Sequence, residues 1–445
     1  MSIILISVIT LGGILLGKIL FKKSFNHLSL YCLIMGGLVF FYELKLLPYP
    51  DIIPLAWFYL ISAFLSFLFG IITIFSIRNL SDEDYTSITK TSISLSILNH
   101  NGKILKYLVI FFSSVGLFAA IQNWMVLINM FGSIPAVFLN APKIYRMGIE
   151  GEIKGVIPYL FTFGYVAVFF SGIYTAYKGK FTFLTFYPFL GIIIREIAIV
   201  GRAGMLLGFM EFLFSFILFR HFLKSDIYNR YKFSKPNIII YSVLLLSILI
   251  ISASLVRITR TPAGEKYQGA AKELRDFRNN PVISPSIYLY VSSDIGVFSK
   301  YLEIDNEESK FGQNTFLPFY RFLSKFDFVE KPSDFQKGYH IPMWTNTGSY
   351  LRELHSDFGV AGIFLGSYLL GLLTTFFWFR FFKNQSMIAF VFLVYFYLII
   401  GFSFLTMISR LSQWFISLTI SIFILYLIDL MIKKQKLNQN PIQNI

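Results

Sequence analysis

The chain is poor in cysteine, in histidine and in charge. Its single cysteine, Cys32, lies inside an apolar segment, so one chain can form neither a disulfide framework nor a cysteine metal site. No two histidines stand at H-x-x-x-H spacing, and no acidic D-x-D element occurs between Arg257 and Tyr350, so no metal site is expected. There is no Walker A sequence and no dinucleotide fingerprint, which leaves ATP or a soluble nucleotide-sugar donor without a visible binding motif. Charged residues make up only 14% of the chain against 56% hydrophobic and 19% aromatic, a balance that excludes disorder and is unusual for a soluble domain.

What the chain has instead is apolar runs. They recur along its length, each near or above the 18 or so residues that cross about 30 Å of hydrocarbon as a helix. Their continuity argues against a β-barrel, whose strands would alternate. The expected fold is therefore all-α and polytopic, with about eleven transmembrane helices (range about 10–13). These fall near 3–21, 28–42, 55–77, 104–123, 157–176, 181–200, 203–224, 236–256, 358–379, 387–408 and 412–431. The apolar stretch 124–139 contains Gly132 and Pro135 and reads as re-entrant or interfacial. The first segment has no basic residues before it and Lys18, Lys22 and Lys23 after it, the reverse of a cleaved signal, so it is expected to be retained.

Charge alternates between the connections. One set carries Lys18/Lys22/Lys23, Arg78/Lys90/Lys103/Lys106, Lys178/Lys180, the 220–235 cluster, Arg380/Lys383 and Lys433/Lys434/Lys436, with few acidic residues among them. The excess of that set accounts for the whole net charge of +15, so the basic balance reads as topology and nucleic-acid binding need not be invoked. The positive-inside rule then puts the N-terminus outside and the C-terminus in the cytoplasm. Four segments result: an N-terminal bundle of about eight spans over 1–256, an extracytoplasmic subdomain over 257–350, C-terminal spans over 351–432 and a cytoplasmic tail over 433–445. The long external segment is expected to hold short helices, with amphipathic pieces at Ile287–Leu302 and Phe316–Phe328.

The most informative stretch is Tyr350-Leu351-Arg352-Glu353-Leu354-His355-Ser356-Asp357-Phe358-Gly359, at the mouth of an apolar run. A charge in or against a bilayer costs about 2.5–3.5 kcal/mol on insertion scales, so a cluster there calls for a polar ligand. With the topology above, Arg195, Arg202, Arg257, Arg260, Arg352, His355, Asp357 and Arg410 all fall toward the extracytoplasmic half. Arginine suits phosphate or diphosphate, because its charge is permanent and its planar fork donates two parallel hydrogen bonds. The competing reading is that these arginines pair with Glu196, Glu353 or Asp357, or snorkel to headgroups. Gly201 and Gly204 flank Arg202 and mark a break between two spans where backbone could approach a ligand. His355 is a candidate general base with Glu353 as its competitor, and Asp357 is expected to cap the helix and orient Arg352 and His355. Among the aromatics of the external segment, Tyr288, Tyr290, Tyr320 and Tyr350 are candidates for sugar stacking, against the interfacial role such residues also play.

The ordered set Gly201-Arg202-Ala203-Gly204, Pro285-Ser-Ile-Tyr-Leu-Tyr, Phe298-Ser-Lys-Tyr-Leu, Phe316-Leu-Pro-Phe-Tyr-Arg-Phe-Leu and Thr345-Asn-Thr-Gly-Ser-Tyr-Leu-Arg352 leading to Asp357-Phe-Gly-Val-Ala-Gly362 resembles the O-antigen (Wzy-type) repeat-unit polymerases over about residues 195–380. The resemblance implies a GT-C-like glycosyltransferase of the bacterial inner membrane, serving O-antigen of lipopolysaccharide or a capsular-type polysaccharide. It implies undecaprenyl-diphosphate-linked oligosaccharides as donor and acceptor, release of undecaprenyl diphosphate, and no cofactor. It also implies contact with membrane lipids and a polysaccharide chain-length regulator as a partner. On that reading Arg202, Arg352, Arg195, Arg410 and Arg260 hold the diphosphate, while His355 or Glu353 takes the proton in an inverting, metal-independent transfer. Two other readings stand beside it: an O-antigen ligase, which shares the resemblance, and a lipid-linked oligosaccharide transporter or flippase. Transporters commonly show two similar halves, and this chain has no evident repeat.

Overall fold

A computed structural model of the protein describes residues 3–80, 97–151, 153–199, 201–223, 285–304, 311–333, 336–341 and 344–439. Helix predominates among them. In chain order the helices are α1 (Ile3–Phe21), α2 (His27–Glu43), α3 (Pro54–Leu80), α4 (Asn99–Phe131), α5 (Ile134–Leu139), α6 (Ala141–Glu150) and α7 (Thr162–Lys178). They continue as α8 (Phe183–Ala198), α9 (Ala203–Leu223), α10 (Pro285–Ile304), α11 (Leu317–Leu323), α12 (Tyr350–Phe382), α13 (Met387–Phe402) and α14 (Ser412–Gln439). Among the described residues a two-stranded hairpin, β1 (Tyr339–His340) and β2 (Trp344–Thr345), breaks the all-helical pattern, pairing Tyr339 with Thr345 and His340 with Trp344.

Six of these helices, α1, α3, α4, α9, α12 and α14, are long and apolar enough to cross a membrane, and α2 and α13 are apolar but shorter. Only 17% of the apolar window of α1 and 28% of that of α3 is buried against protein, and Ile4, Val8, Leu15, Ile19, Leu65 and Phe69 face outward. Such surfaces need lipid rather than water around them, and helices satisfy their own backbone there. The protein is a helical membrane protein.

Helices stand at the segments that hydropathy marks, with three differences. α4 runs on to Phe131, through the first half of the stretch expected to be re-entrant, and stops at Gly132, whose φ of 88° is the left-handed cap. α12 starts at Tyr350, well before the apolar run itself. α13 ends at Phe402 in a turn that still carries Phe404, Leu405 and Met407, which hydropathy does not separate from a span; the Leu405 and Thr406 amides both donate to the Phe402 carbonyl there. The expected span at 236–256 lies outside the described residues.

The chain forms two compact units. The first comprises Met1–Ile88, Tyr267–Phe379 and Phe396–Ser412; the second comprises Thr89–Lys266, Arg380–Tyr395 and Gln413–Ile445. Each is assembled from separated stretches of chain, whereas hydropathy divides the chain only along its length.

In the first unit α1 and α2 form a hairpin. Asn26 caps α2 by accepting from the Ser29 amide at 2.8 Å, and the Ser29 hydroxyl donates to the Ile14 carbonyl at 3.2 Å. The free thiol of Cys32 is buried. α3 and α12 cross with backbones touching: a Cβ at Gly70 would meet the Tyr368 carbonyl, and one at Gly371 the Phe67 carbonyl. Small residues of this kind let membrane helices approach closely. The Tyr31 hydroxyl meets that of Tyr350 at 2.8 Å, and Tyr350 reaches Ser367 at 3.2 Å, tying α2 to both halves of α12. α10 packs on α2 and is buried without interruption from Ser292 to Ser299, so the amphipathic pattern expected there gives way to an enclosed helix.

In the second unit α7 is buried over almost all of its length, with α4, α8 and α9 packed against it. A helix enclosed on every side has no polar face to show. Leu127, Val137, Ile144 and Ala198 join the end of α4 to α5, α6 and α8.

Candidate functional site

Four stretches of the first unit converge on the start of α12: the 311–316 turn, the 336–341 segment, the turn before Tyr350 and the 408–410 turn. α12 is two helices joined at Gly359, whose φ of 60° and ψ of −147° belong to glycine alone. Asp357-Phe358-Gly359, expected at the mouth of a span, is therefore the bend between a short helix carrying the charged residues and the membrane helix beyond. A Cβ at Gly362 would strike the Leu354 carbonyl, so the second piece leans directly on the first.

Arg352 is 2% exposed and is gripped from several sides. Its Nη2 donates to the Lys337 carbonyl at 2.8 Å, and its guanidinium lies 5.4 Å from the Tyr339 ring and 5.9 Å from the Tyr301 ring. Glu353, also buried, accepts from Arg410 Nη1 at 3.2 Å and from the Gln336 side chain. Arg410, between the spans expected at 387–408 and 412–431, sits on the turn between α13 and α14. It also donates to the Asn314 side-chain carbonyl. Burial pushes the Arg410 guanidinium below its usual range, opposed by the Glu353 charge and reinforced by Arg321 and Arg352.

Asp357 is held by the turn that precedes α11. Its Oδ1 accepts from the Asn314 amide at 2.9 Å and from Asn314 Nδ2 at 3.0 Å, and its Oδ2 from the Thr315 amide at 2.6 Å. It pins the 311–316 turn onto the bend, and Asn314 links it to Arg410. His355 shares Tyr301 with Arg352: its Nδ1 is 2.8 Å from the Tyr301 hydroxyl, and its ring lies beside Tyr59. Arg352, Glu353, Asp357 and Arg410 thus form one cluster, with His355 joined to it through Tyr301.

The candidate sugar-stacking tyrosines are placed within the packing. Tyr288 is buried, donating to the Phe41 carbonyl at 2.6 Å and accepting from the Leu46 amide at 3.3 Å. Tyr350 is buried between Tyr31 and Ser367. Tyr320 is half-buried and donates to the Phe311 carbonyl. The side chain of Tyr290, like Arg257 and Arg260, lies outside the described residues.

Arg195 and Arg202 belong to the second unit. α8 ends at Ala198, the Gly201 amide closes back onto the Glu196 carbonyl at 2.7 Å, and α9 starts after Arg202. The break expected between the two spans is there. What occupies it is the Glu196 carboxylate: a Cβ at either Gly201 or Gly204 would run into it. Arg195 pairs with Glu196 and lies 3.5 Å over the Phe161 ring. Arg202 is half-buried.

Sequence reasoning missed Asn314, Arg321, Gln336 and Asp294. The first three sit on loops or a short helix far from Arg352 in the chain. Asp294 left one signal, as the only acid in the apolar run Tyr288–Phe298. No protein-family model matches the chain, and no curated protein or solved structure matches it.

Proposed function

We propose that this chain is a glycosyltransferase of about eleven spans and GT-C-like architecture in a bacterial cytoplasmic membrane. It joins undecaprenyl-diphosphate-linked oligosaccharide repeat units into an O-antigen or capsular-type polysaccharide at the extracytoplasmic face. The N-terminus is outside and the C-terminus in the cytoplasm. The observation that carries the reading is the pair of buried arginines, Arg352 and Arg410, held in one cluster at the head of a membrane helix. Glu353 pairs with Arg410, and Arg321 acts on Arg410 as a third cation against the two acids Glu353 and Asp357. A cationic excess shielded from water is suited to a phosphate-type anion.

In the proposed reaction the donor diphosphate lies against Arg352 and Arg410, both in the first unit. The acceptor hydroxyl attacks the donor's anomeric carbon, the bond from that carbon to the diphosphate oxygen breaks, and undecaprenyl diphosphate leaves with inversion. The arginines stabilise charge growing on the leaving group. His355 takes the acceptor proton, its ring held by the 2.8 Å contact of Nδ1 with the Tyr301 hydroxyl. A chain-length regulator is the expected protein partner.

The test is purified protein in nanodiscs with lipid-linked repeat units from its own host, products resolved on a gel. A ladder of lengthening lipid-linked glycans establishes the polymerase. Transfer only when lipid A core is added replaces it with a ligase. Unchanged units that have moved between leaflets replace it with a transporter.

A further inference from the structure

Beside Arg352 stands an acid that the reaction above does not use. Asp294 is 0% exposed, in the continuously buried stretch of α10. Neither of its carboxylate oxygens meets hydrogen-bond geometry among the described residues, although the Thr347 hydroxyl is close enough to favour the charged form. The buried hydroxyl of Ser349 is also without a bond there. The Thr347 hydroxyl, near the carboxyl, is engaged with Ser293 and with Thr345, each at 3.1 Å. The turn that carries Thr347 and Ser349 lies over Arg352: a Cβ at Gly348 would be 3.2 Å from the arginine's Cδ and Nη1. Buried polar groups are nearly always hydrogen-bonded, and an ionised carboxylate without partners is among the costliest groups to enclose.

We propose that Asp294 is a positioning residue of the Arg352 site, deciding whether the Arg352 charge is neutralised within the protein or offered to a phosphate-type anion. The inference rests on the anion-site reading of the cluster and deepens it. The titratable and charged groups that reach Asp294 are Arg352 from α12 and Tyr49 from the connection between α2 and α3. Around the same part of α10, α2 contributes Tyr42 against Gly296, and Tyr339 of β1 lies under the Arg352 guanidinium. Burial raises the Asp294 carboxyl well above the usual carboxylate range, with Thr347 and Arg352 opposing the rise. In the acid form Asp294 leaves Arg352 cationic toward a ligand. In the ionised form it competes with that ligand for the same guanidinium. An anion that binds the acid form better holds the proton on, so affinity falls as pH rises through the carboxyl's titration, by up to about tenfold per pH unit.

The experiment measures binding to the full chain in nanodiscs across pH with two probes whose charge is constant over the range. These are sulfate and a short-chain prenyl-diphosphate-linked sugar. The expected result is affinity falling with pH for both, and an Asp294→Asn variant that binds at every pH as tightly as the native protein does at low pH. In parallel, infrared difference spectroscopy is expected to show a carboxylic-acid carbonyl band at neutral pH that the variant lacks. A native protein without that band, binding without a pH slope, or a folded Asn variant that keeps the slope or loses binding altogether overturns the role of Asp294. If sulfate follows the expected pattern and the lipid-linked sugar does not bind, Asp294 keeps its role and the polymerase reading falls. If neither probe binds, both fall.

Discussion

Asn314 accepts from Arg410 through its carbonyl and donates to Asp357 through its amide, so one side chain couples a buried cation to the bend of α12. Arg352 is held with similar specificity, by a hydrogen bond to the Lys337 carbonyl and by the nearby Tyr301 and Tyr339 rings. A lysine there would keep the charge but lose the planar fork and the stacking. Arg352→Lys is accordingly expected to lower polymer yield about as far as Arg352→Ala, each by at least about tenfold in the nanodisc assay. Near-native yield from the lysine variant would remove bidentate anion binding from the mechanism. In the second unit Tyr395 donates to buried Glu211 at 2.6 Å, while Glu211 Oε2 makes no hydrogen bond among the described residues. Tyr395→Phe leaves that acid without a donor and is expected to destabilise the protein by about 1–3 kcal/mol, read from denaturant unfolding in micelles. Leucine at position 211 in the same background should recover part of the loss. Arg352, Glu353, His355 and Asp357 were legible because they are neighbours on one short helix. Asn314, Gln336 and Asp294 were not, because their chemistry arises only when distant segments meet, and a lone polar residue in a loop or an apolar run carries no spacing to read.

At the level of elements, hydropathy locates apolar helices well and their ends poorly. The start of α12 at Tyr350 and the turn after α13 are set by hydrogen bonds and packing, which leave no mark on mean hydropathy. The bend within α12 was half legible: the Asp357-Phe358-Gly359 sequence stood out, but its glycine reads equally as a helix start. A Cβ at Gly359 would meet nothing within 4 Å, so space is not what requires glycine there. Backbone conformation is. Gly359→Ala is expected to destabilise by about 1–3 kcal/mol through that conformation alone, measured as a lowered unfolding midpoint. Polymer yield should fall further than stability, since straightening the bend would shift the short helix that carries Arg352 and Asp357 relative to Arg410. An alanine variant with native stability would show that the bend is not fixed by its φ and ψ.

For the whole molecule, the alternating charge of the connections predicts an orientation that membrane-impermeant thiol labelling can check. Single cysteines replacing the exposed Lys180 and Lys383 should react only from the cytoplasmic side, and one replacing the exposed Asp327 only from the outside. The opposite pattern would invert the topology and move the Arg352 cluster away from outer-leaflet substrates. The only native thiol, that of Cys32, is buried. The wild-type protein should therefore be nearly silent toward water-soluble maleimides, a natural blank on which each introduced probe reports alone, with no residue first removed from a tightly packed α2.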